Sequence, residues 1–177
     1  GLFQAESHRI VDTPNCAVHH PAINHAVGVI KAAIRECGVR PYADRPHVGD
    51  LRYVQLVVER ESEAVQVVLV GHGTSPESLG TLPALLTERL GDRLQGLVFN
   101  AQPERSNVIL GRDMTRLAGK PATCERLGGV SVFFPPSAFG QNHLPLFARA
   151  VERIGELVPD DSRISEFYCG VGAIGLG

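Results

Sequence analysis

Apolar residues recur at helical spacing in two long stretches of this 177-residue chain. Ile23, Ala26, Val27, Ile30, Ile34 and Cys37 fall on one stripe behind His20-Pro21. Proline suits a first helical position because its missing N–H would go unpaired there anyway, and Gly38 offers a natural stop. Leu144, Phe147, Ala150, Val151, Ile154, Leu157 and Val158 form a second stripe, closed by Pro159-Asp160-Asp161. A shorter helix is expected over residues 82–90, ended by Gly91-Asp92. Between these helices the pattern turns β-like. Residues 52–60 and 64–70 read as a hairpin across Glu61-Ser62-Glu63, and residues 94–100, 107–110 and 130–134 as further short strands. Residues 8–13 alternate as a strand closed by Pro14, and residues 163–169 read as a last strand. The pattern predicts an α+β central domain over residues 1–135. Near residues 135–141 it changes, and residues 136–177 read as the truncated start of an α/β, Rossmann-like domain.

Composition narrows the class without naming it. With 44% hydrophobic and 20% charged residues the chain has the material for a globular core. A net charge of −2 removes any whole-chain electrostatic argument for nucleic acid, so an RNA partner would need a local basic patch or a neighbouring domain. Trp is absent and aromatics make up 6%, which argues against an aromatic base-stacking platform. No apolar run reaches membrane-spanning length and no leader pattern opens the chain, so no membrane partner is expected. The first residue is Gly, and a piece of a longer protein is expected. Cys16, Cys37, Cys124 and Cys169 are scattered with no Cys-x-x-Cys pair, which favours a reducing, cytoplasmic setting.

The candidate chemistry sits at the end of the chain. Gly170-Val171-Gly172-Ala173-Ile174-Gly175 satisfies the dinucleotide pattern G-x-G-x-x-G. A dinucleotide fold places its acid about 20 residues later, on the next strand. Here Glu166 stands four residues before the first glycine. Glu-x-x-x-Gly-x-Gly is similar to the loop of S-adenosylmethionine-binding folds, where the acid serves the amino-acid end of the cofactor and the glycines let the backbone approach it. Three readings stand at this point: a methyl-donor site, the start of a nicotinamide-dependent oxidoreductase, and a ligand-free turn.

Four segments, taken in order, resemble the RNA uracil-5-methyltransferase family across most of the chain. Ile10-Val11-Asp12-Thr13-Pro14-Asn15-Cys16 resembles a stretch ending in an iron–sulfur cysteine. Gln102-Pro103-Glu104-Arg105-Ser106-Asn107-Val108-Ile109-Leu110-Gly111 resembles the central-domain signature. Pro136-Ser137-Ala138-Phe139-Gly140-Gln141 resembles the F-x-Q-x-N element before the methyltransferase domain, and Glu166 to Gly172 the D-L-[FY]-C-G-x-G cofactor loop.

The resemblance implies methyl transfer from S-adenosylmethionine to C5 of a uridine in tRNA or rRNA. C5 is a poor nucleophile, so a cysteine thiolate adds to C6, C5 takes the methyl group, and a base removes the C5 proton. In structured RNA the base must first be extruded. The family's nucleophilic cysteine and base lie beyond the glycine loop, so no catalytic residue is expected within this chain, which is expected to be inactive alone. Gln141, Glu166, Tyr168, Gly170 and Gly172 are the implied cofactor contacts, and Cys16 the implied metal ligand. Glu166 replaces the usual Asp, His143 falls where the family has Asn, and three further cluster cysteines are missing. A non-catalytic RNA-positioning module is the alternative of a different class. No protein partner is inferable.

Residue by residue, plainer readings compete. Cys16, His19, His20 and His25 fit a zinc site or a helix entry with exposed histidines. Gln141 fits a cofactor contact or a helix cap. Cys169 reads as a small packing residue, and Cys37 and Cys124 as buried small apolar groups. Arg105 and Arg112 are candidate phosphate contacts or ordinary surface.

Overall fold

The computed structural model describes residues 2–7 and 9–175; His8 of the expected first strand and Leu176-Gly177 at the end lie outside them. The content is mixed α/β. Two compact units divide the chain, Gly1–Lys120 and Pro121–Gly177.

The first unit is built on one four-stranded sheet of β3 (Leu51–Val58), β4 (Val65–Gly71), β5 (Leu94–Ala101) and β6 (Asp113–Gly119), in that spatial order. β3–β4 and β5–β6 pair antiparallel, whereas β4 and β5 run parallel. A parallel pair needs a crossover, and α2 (Leu82–Leu90) supplies it. The near-continuous apolar sequence of β4 belongs to a strand covered on both faces, and all seven of its residues are buried. Leu82, Leu86 and Leu90 recur one turn apart on α2 and are buried with Val65, Val67, Leu69, Leu97 and Phe99. α1 (Pro21–Glu36) adds Ala26, Ile30 and Ala33 to the same core. Its start is fixed by Pro21 and by His20, whose side chain accepts a hydrogen bond from the Ala22 N–H. β1 (Leu2–Phe3) and β2 (Ile10–Val11) form a separate two-stranded ladder.

In the second unit β7 (Thr123–Leu127) and β8 (Val130–Phe134) make a hairpin. Its two-residue turn is Gly128-Gly129, both at positive φ, as the right-handed twist of the flanking strands favours. α3 (Leu144–Leu157) follows. Leu127, Val132, Phe134 and Ala173 form a small buried cluster, joined by Leu144, Phe147, Ala148 and Val171. The division into compact units falls before β7, because the hairpin shares its apolar face with α3 and the glycine turn.

Two expected strands do not form. Residues 107–110 are bends, because side chains of Asn100 and Gln102 take up the loop's backbone groups in place of a neighbouring strand. β6 occupies residues just beyond; as a largely exposed edge strand it lacks the apolar run that would reveal it. Residues 163–169 form no strand, because no described strand lies alongside to pair with them.

At the start of the sheet, Arg40 holds Asp50 through Nε (3.1 Å), Nη2 (2.8 Å) and its backbone N–H (3.1 Å). These hydrogen bonds from Arg40 keep the Asp50 carboxyl below its ordinary value. A carboxyl lowered in the folded state stabilises above its unfolded value and loses that contribution as pH falls through its folded value. Arg40→Ala is therefore expected to destabilise the protein at neutral pH and to match the parent in strong acid. Urea titrations at several pH values check this.

Candidate functional site

Residues 166–175 make a compact, irregular turn. Tyr168, Gly170 and Gly172 all have positive φ, at 60°, 57° and 75°. Glycine takes this conformation without strain, whereas a tyrosine does so at a cost. The Gly172 N–H donates to the Cys169 carbonyl at 2.8 Å and closes the first part of the turn. The Gly175 N–H donates to Glu166 Oε2 at 3.1 Å, so the acid folds back over the glycines that follow it. A Cβ at Gly175 would lie 2.7 Å from that oxygen, so a side chain there would displace the Glu166 carboxylate. At Gly170 nothing lies within 4 Å of where a Cβ would be, so its backbone is open to close approach.

Val171 and Ala173 alternate with the positive-φ glycines and anchor the turn in the cluster around Phe134. The same Phe134 ring lies 3.4 Å from where a Cβ on Gly140 would stand, which brings the segment before Gln141 to the same apolar centre. Gln141 and the turn are thus neighbours of one hub. Gln141 itself is exposed and makes no hydrogen bond among the described residues.

The cap of α3 is His143, whose Nδ1 accepts the Leu146 N–H at 3.1 Å. This corrects the reading of Gln141 as the cap. A ring nitrogen here does what an asparagine side-chain oxygen does at an N-cap. His143→Ala is expected to cost about 1 kcal/mol, and His143→Asn to restore it, by chemical denaturation.

Cys16 is half-buried, and the Asn24 side chain clasps its backbone, accepting from its N–H at 3.2 Å and donating to its carbonyl at 3.1 Å. Among the described residues no group of three His, Cys, Asp or Glu side chains converges to hold a metal. Within these residues Cys16 belongs to the entry of α1. Cys169 is exposed, and Cys37 and Cys124 are half-buried, Cys37 packing against the core of the first unit.

Arg105 and Arg112 are exposed on the loop between β5 and β6. The residues organising that loop escape sequence reasoning. Asn100 is fully buried; its Nδ2 donates to the carbonyls of Gly111 (3.0 Å) and Asp113 (2.9 Å), and its Oδ1 accepts the Gly111 N–H (2.7 Å). Arg52 donates to three loop carbonyls, those of Gln102 (2.8 Å), Glu104 (2.6 Å) and Ser106 (3.1 Å). The only sequence signal was a polar Asn and Gln ending an apolar strand.

No protein-family model matches the chain. It is 36% identical over 182 residues to an uncharacterized RNA methyltransferase of Protochlamydia amoebophila, covering 99% of this chain and 48% of that protein. It is 31% identical to another from Halalkalibacterium halodurans, covering 99% of this chain and 38% of the relative. Among solved structures it is similar to the Pyrococcus abyssi tRNA (uracil-54, C5)-methyltransferase in complex with S-adenosyl-L-homocysteine. The TM-score is 0.81 at 25% identity, over 98% of this chain and 41% of that one. The chain thus spans about half the length, or less, of the proteins it matches.

Proposed function

We propose, on the premise that this chain is a partial-length relative of the RNA uracil-5-methyltransferase family, that the whole protein methylates C5 of a uridine in tRNA or rRNA. In this reading its methyl donor is S-adenosylmethionine and its setting is cytoplasmic. Residues 1–135 serve as the α+β central domain, and residues 136–177 open the Rossmann-like methyltransferase domain. The observation that carries the reading is the superposition of nearly the whole chain on a tRNA uracil-C5-methyltransferase. The turn is chemically suited to the donor: an open backbone at Gly170 and a carboxylate at Glu166 match the charged amino-acid end of S-adenosylmethionine.

Bound there, the donor supplies an electrophilic methyl group. This chain's part is to hold it. Gly170 and Gly172 let the backbone come close, Glu166 offers a negative oxygen to a donor ammonium or hydroxyl, and Tyr168 and Gln141 flank the turn as polar contacts. The Phe134 cluster keeps the turn and the Gln141 segment in register.

The test is methyl transfer by the whole protein from methyl-labelled S-adenosylmethionine to unmodified tRNA and rRNA transcripts. Label is expected in RNA as 5-methyluridine on nucleoside mass spectrometry. A stably folded whole protein that labels no transcript, or labels another nucleoside, overturns the proposal.

A further inference from the structure

The carboxyl ends of parallel strands are where open α/β sheets collect their ligands, and at that edge β4 and β5 place a loop that is unusually well braced. The Gln102 N–H continues the ladder to the Gly71 carbonyl at 2.8 Å. Beyond it, residues 103–111 leave the sheet as a closed excursion. Arg52 ties three of its carbonyls, Gln102 Nε2 donates to the Val108 carbonyl at 3.0 Å, and Ser106 Oγ accepts the Val108 N–H at 3.3 Å. Asn100 pins the exit at Gly111, where any side chain would overlap the Ala101 carbonyl.

Braced from within, the loop turns several of its side chains out while Leu110 packs inward. Val108 is 61% and Ile109 53% exposed, and Arg105 and Arg112 flank them. Neither arginine has an ion-pair or hydrogen-bond partner among the described residues. Behind the loop, the Arg52 guanidinium lies over the Tyr42 ring at 4.6 Å, and the Tyr42 hydroxyl is 2.9 Å from His47 Nδ1. That joins the excursion to residues 40–50, which add exposed Arg45 and Val48. Residues 40–52 and 102–113 together hold five arginines and four acids, a net +1 in a chain of net −2, and Asp50 is engaged by Arg40.

Preorganised loops with outward cations and apolar tips suit a polyanion that also presents apolar faces. Phosphates meet the arginines, and unstacked bases meet the β-branched tip. An enzyme that must extrude a base benefits from an apolar wedge held rigidly beside it. We infer that the Arg52-braced loop of residues 102–112 is an RNA-contact element, with Arg105 and Arg112 on phosphates and Val108-Ile109 against an unstacked base. This rests on the function proposed above and gives the substrate a landing surface on the four-stranded sheet's loops.

The experiment is filter binding of the whole protein to an unmodified tRNA or rRNA transcript that the parent methylates, over a range of salt. Arg105→Ala/Arg112→Ala is expected to weaken binding roughly tenfold and to flatten the log–log salt slope by about 1.4 to 1.8, the loss of two phosphate contacts. Val108→Ser/Ile109→Ser is expected to weaken binding with the salt slope unchanged. S-adenosylhomocysteine affinity and melting temperature should stay at parental values in both. If both variants bind RNA with parental affinity and slope while the parent methylates RNA, the loop is not a contact and the proposed function stands. If the parent methylates no RNA, the proposed function fails and this inference with it.

Discussion

Replacing Asn100 with alanine is expected to lower the stability of the chain by about 3 kcal/mol, since three hydrogen bonds at roughly 1 kcal/mol each end on one side chain. The side chain is fully buried and supplies two N–H bonds and one acceptor. Its removal strands the Gly111 N–H and the carbonyls of Gly111 and Asp113 at the exit of the loop. A loss of this size corresponds to a fall in melting temperature of about 6 to 12 °C. Asn100→Asp is the informative companion. It keeps an acceptor for Gly111 but turns a second oxygen toward two carbonyls, so it is expected to be no better than alanine. Thermal denaturation checks both, and a shift of under about 2 °C for the alanine variant would show that the clasp is not structural.

Glu166→Ala is expected to weaken S-adenosylhomocysteine binding to the whole protein by about 10- to 100-fold, the effect of losing a hydrogen bond to a charged group worth roughly 1.5–3 kcal/mol. Two roles meet in this residue. It caps the Gly175 N–H, and it presents the one carboxylate of the turn. Glu166→Gln separates them, because the amide oxygen still accepts from Gly175 while the charge is gone. If the charge serves the cofactor, the Gln variant loses most of the affinity. If Glu166 serves only the turn, the Gln variant binds as the parent does and only the Ala variant weakens. Calorimetry with S-adenosylhomocysteine decides between them.

The helices were legible because their stripes are long and their ends are marked: Pro21 opens α1, Gly91 closes α2, and Pro159 follows α3. The central strands β4 and β5 were legible as apolar runs. The edge strands β6 and β7 were not, since exposed strands carry mixed residues that also suit loops. Residues 163–169 show the reverse failure. Their β-rich sequence anticipates a strand, yet strand structure needs a partner and the described residues offer none.

At the candidate site, the sequence pointed to Glu166 and the glycines from spacing alone. It misread Gln141 as a possible cap because a histidine is an uncommon N-cap, although His143 Nδ1 presents the same acceptor geometry. Cys16 stands out as a cysteine amid histidines, and in the structure Asn24 holds its backbone at the entry to α1. Arg52, Tyr42 and Asn100 lie far apart in sequence from the loop groups or ring contacts they organise, so no local pattern reveals them.

The most direct measurement uses transcripts carrying tritium at C5 of uridine and S-adenosylmethionine carrying a carbon-labelled methyl group. Substitution at C5 expels the hydrogen originally there. The whole protein is expected to release one tritium into water for each methyl group transferred. Methyl incorporation without tritium release would place the chemistry on another atom and contradict methylation at C5.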